Sequence, residues 1–211
     1  MTKAFIFDFD GTLVNSEQAI YQCFQSITKK LAPNRVEYAK NILIGPPLRD
    51  TASEILGHEH QDSLDEFVQL FITMHDEQVI QHTQPYPDVT QVLKQLHAQN
   101  ILMAVATNKR LIPTQKLMDH FDWNDYFQSV ECSDSQSQIR NKDAMIQDII
   151  NQNKSFHESY FIGDTVNDGL SANLNQLPFI KACYGYGRNQ DWSKVNIYKE
   201  IHHFIEILNI N

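Results

Sequence analysis

Apolar positions along the chain fall into two kinds of pattern. Short unbroken runs occur at Ala4-Phe5-Ile6-Phe7, at Ile101 to Ala106 and at Ser159-Tyr160-Phe161-Ile162. Each is too short for a helix and ends in polar residues or glycine, which predicts a strand buried on both faces. Gln128 to Glu131 and Phe179 to Ala182 are weaker runs of the same type. Between them the spacing turns helical. Val89, Val92, Leu93 and Leu96 share one face of a helix predicted over Val89 to Gln99. Helices are also predicted at Pro113 to His120, Asp143 to Asn151 and Phe204 to Leu208. Strands alternating with helices imply right-handed crossovers and a parallel sheet, hence an α/β fold.

The segment from 15 to about 82 breaks this alternation. It reads as helices at Ser16 to Leu31, Val36 to Leu43, Leu48 to Leu56 and Leu64 to Gln81, punctuated by Gly45-Pro46-Pro47 and Gly57. The expected organisation is a core of residues 1–14 and 83–211 with an all-helical insertion of residues 15–82. Pro85 and Pro87 mark the return to the core.

In parallel sheets, ligands bind outside the carboxyl ends of the strands. The chemistry-bearing residues cluster at those ends. The first strand leads into Asp8-Phe9-Asp10-Gly11-Thr12, the second into Thr107-Asn108, and the third into Gly163-Asp164-Thr165-Val166-Asn167-Asp168. Grouping Asp8, Asp10, Asp164 and Asp168 is costly unless a cation offsets their charge. Oxygen donors suit a hard ion, and magnesium is the common one beside phosphate. Taken singly, Asp8 and Asp10 could cap a turn, and Asp164 and Asp168 could serve an acidic helix N-terminus. Thr107 and Asn108 could bind phosphate oxygens or cap the next helix. Lys142 precedes a helix and could bridge a carboxylate and a phosphoryl group; Lys109 and Arg140 compete with it for that role.

Bulk properties narrow the setting. The 211 residues allow one domain with an insertion, and 42% hydrophobic content is that of a globular chain. A formal net charge of −9 disfavours nucleic acid or anionic lipid as a general partner. No apolar run reaches the length of a membrane span. Met1-Thr2-Lys3 followed by a strand with two acids is unlike a signal peptide. Cys23, Cys132 and Cys183 form no zinc or disulfide pattern, so reduced thiols and a cytoplasmic location are expected. The pairs His58/His60 and His202/His203 lack metal-ligand spacing and read as surface residues.

These residues resemble the haloacid dehalogenase superfamily. Asp8 to Leu13 is similar to its first motif, Thr107-Asn108 to its second, Lys142 to its third and Gly163-Asp164 through Asp168 to its fourth. Asn15-Ser16-Glu17, Gly45-Pro46-Pro47-Leu48, Thr107-Asn108-Lys109 and Gly185-Tyr186-Gly187 resemble the phosphoglycolate phosphatase-like branch. The resemblance implies a Rossmann-like sheet sandwiched by helices, with the helical insertion as a cap. It implies hydrolysis of a small phosphorylated metabolite with Mg2+. Asp8 would be the nucleophile and Asp10 the general acid and base. Gly11, Thr107, Asn108 and Lys142 would bind phosphate, and Asp8, Asp10, Asp164 and Asp168 would serve the metal. Arg49 is a candidate substrate contact in the cap. A sugar phosphomutase, or a non-catalytic scaffold, is the alternative. Asp143, where these phosphatases often have proline, and Asn173 to Pro178, in place of a stretch rich in alanine and glycine, depart from the branch.

Overall fold

The computed structural model describes residues 4–136 and 138–210; the Met1-Thr2-Lys3 segment lies outside them. Six strands form one parallel sheet: β1 (Ala4–Phe7), β4 (Leu102–Thr107), β5 (Ser129–Cys132), β6 (Tyr160–Gly163), β7 (Phe179–Ala182) and β8 (Ile197–Ile201). Their order is β5-β4-β1-β6-β7-β8. The first strand is therefore central, flanked in register by Val105 and Ile162 at Phe7.

The unbroken apolar runs follow from burial on both faces. Phe5, Phe7, Met103, Val105, Ile162 and Ile180 point into one layer, beneath α5 (Val89–Ala98) and α6 (Leu111–His120). Ala4, Ile6, Ala104, Ala106, Phe161 and Phe179 point into the other, beneath α7 (Lys142–Gln152) and α8 (Val166–Leu174). Successive side chains alternate between faces, and both faces are covered, so no polar position survives inside a central strand.

The first four helices have their own core. It is built from α1 (Glu17–Leu31), α2 (Val36–Ala39), α3 (Leu48–Leu56) and α4 (Leu64–Gln78). Ile20, Phe24, Ile27, Ile55, Leu56, Phe67 and Phe71 fill that core. It is joined to the sheet layers through a two-stranded antiparallel ribbon of β2 (Val14–Asn15) and β3 (Gln84–Pro85).

Three expectations are corrected. The segment predicted as a helix over Val36 to Leu43 has α-helix only over Val36–Ala39, after a 3-10 turn at Pro33–Arg35. The expected helix at Phe204 to Leu208 is a 3-10 stretch, Phe204–Asn209. Strand β8 had no counterpart in the predicted pattern: it is an edge strand, Ile-Tyr-Lys-Glu-Ile, whose charged residues break the apolar run. No helix among the described residues is long and apolar enough to cross a membrane.

Candidate active site at the strand ends

Asp8 continues β1, its backbone N–H donating to Ile162 O at 2.8 Å. Phe7 and Phe9 turn into the core, which leaves Asp8 and Asp10 on the opposite side of the chain. The chain then reverses. Leu13 and Val14 donate backbone hydrogen bonds to Phe9 O, and Gly11 takes φ +88°. A Cβ at Gly11 would lie 2.3 Å from Asp164 Oδ2, so only glycine lets the two strand ends approach. Gly185 also packs against Asp164, where a Cβ would again come within 2.3 Å.

Asp8, Asp164 and Asp168 converge, with one oxygen of each within 4.8 Å of the others. Asp8 is 5% exposed, and Asp164 and Asp168 are fully buried. Thr12 Oγ1 donates to Asp164 Oδ1 at 3.2 Å, and the Tyr186 N–H donates to Oδ2 at 2.6 Å. Asp168 Oδ2 accepts from the Thr165 N–H at 2.8 Å and from Thr165 Oγ1 at 2.7 Å, a capping box that starts α8. Its other oxygen accepts from Lys142 Nζ.

Lys142 is the buried lysine beside this cluster. Its Nζ lies 2.7 Å from Asp8 Oδ1 and also bonds Asp168. Burial pulls its pKa down, but the charges of Asp168 and Asp8 more than reverse this and hold it above the usual lysine range. Burial pushes the Asp8 carboxyl up to about 7, with Lys142 opposing and Asp168 adding to the rise. Burial, then Asp168 and Asp8, also raise Asp164. Three buried acids face one ammonium here, so the donor set fits a divalent cation, which would supply the missing positive charge.

The competing cations go elsewhere. Lys109 Nζ sits 3.1 Å from both oxygens of Asp10. Arg140 is turned away, bonding Glu131 at 2.6 Å and Asp148. Asp10 also accepts from Ser16 Oγ at 2.5 Å, and Ser16 in turn meets the Tyr186 hydroxyl at 3.1 Å. Thr107 is buried, and its Oγ1 accepts the Lys109 N–H at 3.1 Å. Asn108 Nδ2 donates to Gly45 O at 2.8 Å, bridging the sheet layers and the helical segment. Arg110 and Lys116 add further bridges, to the Asp76 carboxylate and carbonyl.

A cavity of about 90 Å3 lies between the strand ends and the helical segment. Asp8, Asp10, Thr107, Asn108 and Lys109 line one side, and Ile20, Phe24, Ile44, Leu48 and Phe71 line the other. Arg49 is not part of this wall. It bonds Asp65 at 2.7 Å on the surface and borders a separate outer groove. Lys109 as the partner of Asp10, and Ser16 and Tyr186 as its further supports, were not assigned from sequence. Gly185-Tyr186-Gly187 drew notice as a pattern, but the reach of Tyr186 to Ser16 spans 170 positions and leaves no local signal.

His202 and His203 are exposed, as expected of surface residues. His202 lies beside Cys183 and Glu200 across β7 and β8, their donor atoms within 4.8 Å. Lys181 already pairs with Glu200 at 2.9 Å.

Known proteins match this chain along most of its length. A phosphoglycolate phosphatase of Psychrobacter arcticus is 27% identical over 203 residues, covering 90% of this chain and 87% of its own. The pyrophosphatase PpaX of Listeria monocytogenes is 26% identical, covering 77% and 75%. The structure of a haloacid dehalogenase-like family hydrolase from Streptococcus pneumoniae superposes with a TM-score of 0.83 at 22% identity, over 99% of this chain and 97% of that one. The haloacid dehalogenase-like hydrolase family model matches residues 5–182, and with the acids of two strand ends gathered beneath a helical segment, the chain belongs to that family.

Proposed function

We propose that the chain is a magnesium-dependent phosphatase that hydrolyses a small phosphate monoester through a phosphorylated Asp8. The observation that carries this reading is the buried cluster of Asp8, Asp164 and Asp168 around Lys142. A fold needs no such group of carboxylates for stability, whereas phosphoryl transfer needs a nucleophile beside fixed positive charge.

In this reading an oxygen of Asp8 attacks phosphorus as the ester P–O bond breaks. Asp10, as the carboxylic acid, gives its proton to the leaving oxygen. It then takes a proton from the water that attacks phosphorus and frees the Asp8 carboxylate. Lys109 and Ser16 hold the Asp10 carboxyl in place. Gly11, Thr107, Asn108 and Lys142 hold the phosphoryl oxygens, and Lys142 keeps its charge beside them. Asp8, Asp164 and the Asp10 main chain would hold Mg2+, with Asp168 in support; the ion would offset the charge of the acids and of the phosphoryl group. Residues 15–82 act as a cap over the core of residues 1–14 and 83–211, excluding water from the first step. Reduced buried thiols and metabolite chemistry fit the cytoplasm.

The test is phosphate release from a panel of small esters with Mg2+. Asp8→Asn is expected to abolish turnover while keeping the native circular dichroism spectrum, and EDTA is expected to abolish turnover of the wild type. Full activity in either case refutes the proposal.

A further inference from the structure

His75 stands in the wall of the cavity but takes no part in the chemistry above. It comes from α4, in the helical segment, and is 3% exposed. Its ring stacks on Phe71, with centroids 5.1 Å apart and planes at 12°. Nδ1 faces Asp76 Oδ1 at 3.8 Å. Nε2 is buried and has no hydrogen-bond partner among the described residues. Asn108 Oδ1, from the opposite wall, is also buried without a partner. A buried polar atom left unpaired is costly, and one on either side of the cavity asks for a ligand with hydrogen-bonding groups.

The rest of the wall restricts that ligand. Ile20, Phe24, Ile44, Leu48 and Phe71 are apolar. The cations in the wall are Lys109 and Arg110, and each is already engaged, by Asp10 and by Asp76. Burial, and then the charge of Lys109, hold the His75 pKa below the ordinary imidazole value, so the ring is neutral. A carboxylate on the leaving group would be desolvated beside Asp8 and Asp10 with no free cation to meet it. A neutral hydroxyl meets no such penalty. The volume, about 90 Å3, is far below the roughly 300–1,000 Å3 of sites for drug-sized ligands.

We propose that His75 is a specificity-determining residue that selects phosphate monoesters whose leaving group is short, uncharged and bears a hydroxyl, over esters whose leaving group carries a carboxylate. This rests on the phosphatase reading and deepens it. It also separates this chain from the relatives that are named phosphoglycolate phosphatases.

The experiment compares kcat/KM for 2-hydroxyethyl phosphate, ethyl phosphate and 2-phosphoglycolate, with Mg2+ present. The wild type is expected to prefer 2-hydroxyethyl phosphate to 2-phosphoglycolate by about tenfold or more. One hydrogen bond is worth about tenfold. His75→Leu should therefore lose about tenfold more on 2-hydroxyethyl phosphate than on ethyl phosphate, and His75→Gln should recover part of that difference. A preference for 2-phosphoglycolate overturns the inference. So does an equal loss on both alkyl esters in His75→Leu with no recovery in His75→Gln. Both outcomes leave the phosphatase reading standing. Turnover of none of the three by the wild type overturns that reading, and the inference with it.

Discussion

Replacing Lys142 by methionine isolates the electrostatics of the strand-end cluster. Methionine fills similar space, so what is lost is the ammonium and its bonds to Asp8 at 2.7 Å and to Asp168. Removing one partner of a buried ion pair costs about 3–5 kcal/mol, because the other charge stays buried and unpaired. Asp168→Asn loses the same contact and also disturbs the capping box at Thr165, which adds about 1 kcal/mol. The double variant removes both charges, so its loss should be smaller than the sum of the singles by about 1.5–3 kcal/mol. The pH matters, and its sign is fixed. Asp8 releases its proton near pH 4 when unfolded but only near 7 when folded, so its burial costs stability as pH rises through that window. The full cost is present at pH 8. Urea unfolding at pH 8 in EDTA, followed by the fluorescence of the buried Trp123, measures it. With a slope of about 3 kcal/mol per molar urea, a 4 kcal/mol loss moves the midpoint by about 1.3 M. Additivity of the two single variants within about 0.5 kcal/mol would refute the claim that Lys142 and Asp168 act as a pair.

Gly11→Ala should cost about 2 kcal/mol or more, since it forces an L-residue to positive φ and drives a methyl into Asp164; thermal unfolding measures the loss, and an unchanged midpoint refutes the close approach. The thiols should be slow toward iodoacetamide at pH 8, because burial pushes Cys23 and Cys132 up to about 11 and also raises the half-buried Cys183. All three stay protonated there. Mass spectrometry should find Cys183 modified first, and Cys23 and Cys132 only after unfolding.

Much of the site was legible because it lies on short stretches of sequence with a strong local reason. The run Ala4 to Phe7 reads as a doubly buried strand, and the acids after it can only emerge at its carboxyl end. The same logic places Thr107 and Asp164. The helical spacing of α1, α3 and α4 marks an insertion without a strand. By contrast, β2 and β3 are two residues each, too short for any period to show. Strand β8 alternates at a sheet edge and carries Lys199 and Glu200, so it lacks the apolar run that identified the others.

The sequence by itself determined the carboxylates at the strand ends, the parallel α/β core and the helical segment inserted into it, since strand periodicity and the composition of strand ends are local properties. The tertiary structure decided which cation serves which acid. Lys109, Arg140 and Lys142 are alike as positive charges near the ends of β4 and β5 or the start of α7. Only the packing of α7 against the sheet buries Lys142 between Asp8 and Asp168, while Lys109, just past the end of β4, pairs with Asp10, and Arg140 pairs with Glu131. It also decided that Arg49 stays on the surface and that His75 reaches the cavity. The pairings of Lys142 and Lys109 join residues distant along the chain, and tertiary packing rather than local sequence sets them.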